Sequence, residues 1–169
     1  MIFAIVLPLL FIQTPTKETL PGSMNVTRVD ATIMCAGATT PQAFPELKRQ
    51  GFASIVNLRR ESEQGVDIPG AKTAAAAAGI KYIHIPVDSA KPEPKDAEAF
   101  IAAVTDKTNQ PAFIHCGSAN RGGAMWLIKR VVVDGWEIPR ATEEADAIGL
   151  RSAPLKQFAI EYATAHKKK

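Results

Sequence analysis

A chain of 169 residues that is 46% hydrophobic and 22% charged has enough apolar residues for one well-buried core and too little length for two ordinary domains. Its formal charge of +3 includes the terminal run Lys167-Lys168-Lys169, so the remainder is close to neutral and offers no broad basic face, which argues against nucleic acid as a partner. Cys35, Cys116 and three histidines show no metal-ligand spacing, and neither a metal nor another cofactor is expected.

Met1 to Ile12 is an apolar run of signal-peptide length, followed by the helix-breaking Gln13-Thr14-Pro15-Thr16. It is too short for a permanent membrane span. No Lys or Arg lies in its first residues and no clean small-x-small cleavage site follows. The preferred reading is a signal peptide or disordered N-terminal segment over residues 1–23, and an exported (periplasmic or secreted) domain over residues 24–169. A mis-assigned start, and with it a cytoplasmic protein, is the alternative.

Residues 31–36 then read as an apolar strand, Thr40 to Arg49 as a helix opened by Thr40-Pro41, and Ala53 to Leu58 as a buried strand. Pro69 near the start, the Ala74–Ala78 run and Gly79 as a stop make Ile68 to Ala78 a helix. Ile80 to Val87 is the next strand, Pro94 to Val104 a helix with Phe100, Ile101 and Val104 on one face, and Ala112 to His115 a strand. A helix from about Arg121 to Val133 and two more, Arg140 to Ile148 and Ala153 to Ala165, complete the pattern. Strand and helix in alternation imply an α/β sandwich with a mostly parallel sheet of about four to five strands. Ligands of such sheets bind beyond the carboxyl ends of the strands, where Asp88 and Cys116 both fall.

The segment Phe113-Ile114-His115-Cys116-Gly117-Ser118-Ala119-Asn120-Arg121-Gly122-Gly123 carries the chemistry. An apolar strand runs into Cys116, then into small residues that let backbone amides close around an anion, then into a helix whose positive end points the same way. That setting favours a thiolate nucleophile at Cys116, and Arg121 adds a planar two-pronged donor for a tetrahedral anion. Gly117, Ser118, Ala119, Asn120, Arg121 and Gly122 form the candidate anion loop. Ser118 or Asn120 either hydrogen-bonds the sulfur or shapes the loop. His115 is read as ordering the loop and activating the thiol through a hydrogen bond or its charge. Cys35 reads as a small buried side chain, its rival role being a resolving thiol for Cys116 should their strands be adjacent. His84 reads as structural, and His166 lies near the tail.

This loop resembles that of the cysteine-dependent tyrosine and dual-specificity phosphatases, and within them a bacterial subfamily related to beta-lactamase hydrolase-like proteins. Ile55-Val56-Asn57-Leu58-Arg59 followed by Glu63, Ile85-Pro86-Val87-Asp88, and Arg121 leading into Ala124-Met125-Trp126 look like the markers of that subfamily in order, over roughly residues 27–165. The resemblance implies a phosphatase fold and hydrolysis of phosphate monoesters through a cysteinyl-phosphate, on a phosphorylated protein or a small phosphorylated metabolite. Asp88, opening the covering loop Asp88-Ser89-Ala90-Lys91-Pro92-Glu93-Pro94, is the candidate general acid, with turn or cap formation as its other role and Glu93 as the other acid. Arg59 and Glu63 read as a brace for the loop after their strand.

The larger superfamily places five residues between Cys and Arg and a Ser or Thr after the Arg, whereas this chain has four residues and then Gly122. The short loop implies weak phosphatase activity and keeps open a rhodanese-like sulfurtransferase carrying a persulfide on Cys116. A non-catalytic module sensing an anion or an oxidant is the third reading. The pattern sets no oligomeric state.

Overall fold

The computed structural model describes residues 14–167. Its centre is a sheet of six strands: β1 (Thr16–Glu18), β2 (Val26–Arg28), β3 (Ile33–Ala36), β4 (Ser54–Asn57), β5 (Lys81–His84) and β6 (Ala112–His115). They lie in the order β1-β2-β3-β6-β4-β5, with β1, β2 and β3 antiparallel in turn and β3, β6, β4 and β5 all parallel. Six α-helices cover it: α1 (Phe44–Arg49), α2 (Ile68–Ala77), α3 (Pro94–Thr105), α4 (Asn120–Val132), α5 (Ile138–Ile148) and α6 (Ala153–His166).

Successive strand residues point to opposite faces, and both faces are buried, so the parallel strands read as continuous apolar runs. Ile33, Cys35, Val56 and Ile114 face one core with Phe100 of α3 and most of α4, while Met34, Ile55 and Phe113 face the other with Phe44 of α1 and Ala75 of α2. Helix α4 is buried nearly all round between the sheet and α5 and α6. Gly123 permits that approach, because a Cβ there would come within 2.9 Å of the Ala145 carbonyl oxygen and 3.0 Å of the Leu150 Cβ.

A second device fixes α4. The Arg130 guanidinium, 9% exposed, donates from Nε to Glu144 at 2.6 Å and also reaches Asp30 and Asp134 at 2.9 and 3.0 Å. Trp126 Nε1 donates to the same Glu144 carboxylate at 2.7 Å, and the rings of Trp126 and Trp136 lie over the arginine. The polar atoms of Trp126, Arg130 and Glu144 in this cluster all have partners, which is the condition for charge to be tolerated in a core.

The strands and helices expected from the sequence are present, with two corrections. The sheet has six strands, not four or five, because β1 and β2 are three residues each, too short to show a period of two. The structured body also starts before residue 24: β1 pairs with β2, Glu18 binds Arg28 at 2.5 Å, and Leu20 is buried in the core beside Phe44. The apolar run at residues 1–12 lies outside the described residues.

Candidate active site

The loop sits where the parallel strands end. β6 delivers Cys116, whose amide donates to the Ala36 carbonyl at 3.3 Å, and α4 takes over at Asn120 after Ala119 adopts φ 72°. The loop's carbonyls are held from outside. The Gly117 carbonyl accepts from the Ala38 amide at 2.9 Å, that of Ser118 from Asn25 Nδ2 at 3.3 Å, and that of Ala119 from the Gly123 amide at 2.9 Å. No side chain caps α4, so its first N–H groups and the helix dipole are available to an anion above the loop.

Arg121 is 6% exposed, and its guanidinium is divided between two tasks. Nη1 donates to the Leu58 carbonyl at 3.0 Å, the Val87 carbonyl at 3.1 Å and Glu63 Oε1 at 2.5 Å, while Nη2 donates to Glu63 Oε2 at 2.9 Å. Nε finds no acceptor oxygen among the described residues, and the Cys116 sulfur is close enough to act on the arginine's charge. Burial opposes that charge, but Glu63 and Cys116 outweigh it and raise the Arg121 pKa above its ordinary value. Burial likewise works against the Glu63 carboxylate, yet its bonds from Arg121, the Arg60 amide and Arg59 hold it at a pKa of about 2. The arginine is therefore fixed through Nη1 and Nη2, and its guanidinium also meets the Cys116 sulfur.

The structure brings Cys116, Gly117, Ser118, Ala119, Asn120, Arg121 and Gly122 together as one turn, with Cys116 1% exposed at its floor. Asn120 shapes the loop. Its Oδ1 accepts the amides of Arg151 and Ser152 at 2.6 and 2.7 Å, and its Nδ2 donates to Ser118 Oγ at 3.0 Å, which ties the loop to the α5–α6 connection. Gly149 in that connection has φ 142°, and a Cβ there would meet the Ala119 Cβ at 3.1 Å. Arg59 and Glu63 form the expected ion pair, at 3.2 Å, and the sequence did not reveal that the same carboxylate also grips Arg121.

Asp88 follows Val87, whose carbonyl touches Arg121, so its backbone adjoins the site. Its carboxylate is engaged by Arg60 Nη1 at 2.7 Å and by the Ala90 amide at 2.9 Å. Glu93 begins α3, is paired with Lys95 at 2.7 Å, and is held below the usual carboxylate range by that hydrogen bond, which makes it a poor proton donor.

His115 requires a correction. Strand alternation turns its ring toward Phe113 on the face opposite the α4 core, and neither ring nitrogen has a hydrogen-bond partner among the described residues. Burial first, then the charges of Arg59 and Arg121, push its pKa down to about 3, so it is neutral and supplies the loop with neither hydrogen bond nor charge. Cys35 lies on the strand adjacent to β6, opposite Ile114, but burial pushes its thiol pKa up and leaves it a poor resolving nucleophile.

Asn25 was not apparent as a site residue. It adopts φ 48°, which asparagine tolerates better than most residues, and so directs Nδ2 at the Ser118 and Ile148 carbonyls. That tolerance is the one signal its sequence position carries.

Residues 25–133 match the model of a family described as beta-lactamase hydrolase-like protein, phosphatase-like domain. The beta-lactamase hydrolase-like protein of Agrobacterium fabrum is 32% identical over 108 residues, 62% of this chain and 25% of that protein. Its counterpart in Xylella fastidiosa is 27% identical over 129 residues, 75% of this chain and 28% of that protein. The chain thus spans about a quarter of the length of the curated relatives it matches. Among solved structures, a DUF442 protein of Shewanella putrefaciens aligns with a TM-score of 0.73 at 21% identity, covering 88% of this chain and 94% of the other. The core catalytic domain of the PP-IP phosphatase SIW14 from S. cerevisiae aligns at 0.70 and 19%, covering 85% and 88%, and P. aeruginosa TpbA at 0.64 and 18%, covering 86% and 91%. At these identities the likeness is one of fold.

Proposed function

The chain belongs to the family of phosphatase-like domains of beta-lactamase hydrolase-like proteins, and from that premise we propose that it is a cysteine-dependent phosphatase acting on phosphate monoesters. The observation that carries the reading is the setting of Arg121: Nη1 and Nη2 are fixed by Glu63 and two carbonyls, and the same guanidinium is hydrogen-bonded to the Cys116 sulfur at the start of the loop. A surface ion pair would need no such anchoring, and a purely structural arginine would have no reason to meet the thiol.

In this mechanism the Cys116 thiolate attacks phosphorus. An S–P bond forms as the ester P–O bond breaks, and the departing alkoxide takes a proton from Asp88. Loop amides and Arg121 Nε and Nη2 hold the equatorial oxygens, where negative charge builds up. Water then attacks the cysteinyl-phosphate and gives its proton to Asp88. The S–P bond breaks, and inorganic phosphate and thiolate are released. Asp88 must leave Arg60 to do this. The solved relative TpbA is known in complex with phosphotyrosine and SIW14 is a PP-IP phosphatase, so both protein-bound and small-molecule phosphates fall within the range of the fold.

The test is phosphate release from 4-nitrophenyl phosphate by the full chain under reducing conditions. Cys116→Ser should abolish it, and Asp88→Asn should lower turnover of an alkyl phosphate, whose leaving group needs a proton, by about 10²–10⁴-fold. Release that is absent, or that survives Cys116→Ser, overturns the reading.

One observation favours a second reading: only four residues separate Cys116 from Arg121, the spacing of rhodanese-type loops. There the thiolate would attack the outer sulfur of thiosulfate, the S–S bond would break, sulfite would leave, and Cys116 would carry the persulfide to an acceptor thiolate or cyanide. Thiocyanate formed from thiosulfate and cyanide, lost in Cys116→Ser, would select this chemistry.

A further inference from the structure

Strand β1 sends one side chain to the residue that holds the Ser118 carbonyl. Lys17 Nζ donates to Asn25 Oδ1 at 2.7 Å, to Thr27 Oγ1 at 2.7 Å and to the Ile148 carbonyl at 3.3 Å. An ammonium has three protons to donate, and here each has an oxygen. None of these oxygens belongs to a carboxylate, and Lys17 has no ion pair among the described residues. Thr27 stands directly opposite Lys17 in the β1–β2 pair and is buried, so it gives Nζ a fixed footing. Holding so mobile a side chain costs rotamer entropy, which a lysine serving solubility alone would not give up.

The contact decides how the Asn25 amide is turned. The two ends of an amide are nearly alike in shape, but Oδ1 only accepts and Nδ2 only donates. Lysine cannot accept, so Nζ fixes Oδ1 on its own side and leaves Nδ2 facing the carbonyls of Ser118 at 3.3 Å and Ile148 at 3.4 Å. The reverse orientation would set Oδ1 against both carbonyl oxygens and Nδ2 against a cation. The ammonium charge also polarises the amide and strengthens the bond that Nδ2 donates. Gly149 leaves room for this approach, since a Cβ there would come within 2.7 Å of Asn25 Nδ2 and 3.4 Å of the Ser118 carbonyl oxygen.

Ser118 lies midway between Cys116 and Asn120, in the turn that the phosphatase reading assigns to the anion. A carbonyl oxygen turned inward there would repel the anion. We propose that Lys17 is a positioning residue of the Cys116 loop: by setting the Asn25 amide it holds the Ser118 carbonyl outside the anion site, which makes β1 part of the active site. The proposal rests on the phosphatase reading and adds to it a residue that acts through Asn25 rather than on the substrate.

The experiment uses the full chain and compares Lys17→Met, Asn25→Gly and the double variant with the native protein. Glycine accepts the positive φ of residue 25, so its effect is that of the lost amide. Three quantities are read: the ¹³C signal of the Ser118 carbonyl by NMR, the dissociation constant of inorganic phosphate, and Tm. Lys17→Met should shift the Ser118 signal and weaken phosphate binding about tenfold, within the ordinary range of coupling between two linked sites. Asn25→Gly should do so at least as strongly, and the double variant should match Asn25→Gly, since one residue acts through the other. Lys17 and Asn25 are both exposed, so Tm should fall by less than about 4 °C in either single variant. A Ser118 signal that stays in place in Lys17→Met reduces Lys17 to a tie between β1 and β2 and overturns the proposal. So does a double variant whose losses add, and so does a shifted Ser118 signal with phosphate binding unchanged. Failure of the native chain to bind phosphate refutes the phosphatase reading instead, and the Ser118 signal in the three variants still decides whether Lys17 sets the loop.

Discussion

Helix α4 buries an arginine at each end, and the two differ in what is left over once the protein has satisfied them. Arg130 gives Nε, Nη1 and Nη2 to Glu144, Asp134 and Asp30 and lies beneath two indole rings. Arg121 concentrates its bonds to oxygen on Nη1 and Nη2, has no oxygen acceptor for Nε among the described residues, and meets the Cys116 sulfur. The first arrangement closes a hydrogen-bond inventory on oxygen acceptors; the second leaves Nε without one, beside the thiol of Cys116. Burial and a carboxylate partner are common to both, so neither distinguishes a structural arginine from a ligand-binding one. The contact with the thiol does.

The sharpest way to break this comparison is at Arg130. Arg130→Ala leaves Glu144, 6% exposed, as an unpaired buried carboxylate, which should cost about 3–5 kcal/mol and lower Tm by roughly 10 °C. Arg130→Met combined with Glu144→Leu should recover only part of that loss, since it removes the buried Glu144 charge but takes their partners from Trp126 Nε1 and Asp30. Arg121→Lys should do the reverse. Lysine still reaches Glu63 but has no planar fork, so Tm should move little while kcat for 4-nitrophenyl phosphate falls about 10²–10³-fold, or roughly 3–4 kcal/mol of transition-state binding. Equal thermal losses in the two variants, with kcat intact in Arg121→Lys, would erase the distinction.

Acid should act on the Arg121 end. Buried among the charges of Arg59, Arg121 and His84, His115 has a folded pKa of about 3 against an ordinary 6.5. The unfolded chain therefore takes that proton first, and stability is full above about pH 6.5 and falls as pH drops toward 3. Glu63, at about 2 against 4.5, adds a second loss that begins below pH 4.5. Between pH 6.5 and 5 the His115 contribution amounts to at most about 2 kcal/mol. A Tm profile over this range should slope in the native protein and flatten in His115→Asn; parallel profiles would remove His115 as the cause.

The sequence reveals the Arg121 end in outline because its parts are consecutive. Cys116, the small residues and Arg121 lie within one strand–loop–helix turn, and the buried parallel strands announce themselves as apolar runs. What supports that turn is distant in the chain. Asn25 reaches Ser118 across 93 positions and Asn120 reaches Ser152 across 32, and neither spacing leaves a periodic trace. His115 was legible as a neighbour of the nucleophile but not in its direction, since alternation about Ile114 decides which face it takes and a one-residue difference reverses it. Asp88 was legible as an acid on a loop, and its partner Arg60, 28 positions away, was not.

That last pairing gives the smallest effect and the finest test of the site. Arg60 and Asp88 are both substantially exposed, with side chains 46% and 37% accessible, so Arg60→Ala should change stability by less than about 1 kcal/mol. Its consequence for turnover should depend on the leaving group. An alkoxide needs a proton as it departs, whereas 4-nitrophenolate scarcely does, so releasing Asp88 should raise kcat for an alkyl phosphate by up to about fivefold and leave 4-nitrophenyl phosphate unaffected. Equal effects on both substrates would mean that Arg60 acts on phosphate binding rather than on the acid. No effect on either would leave the Asp88 carboxylate where the structure holds it, as a turn-forming group paired with Arg60, and would assign the proton to another donor.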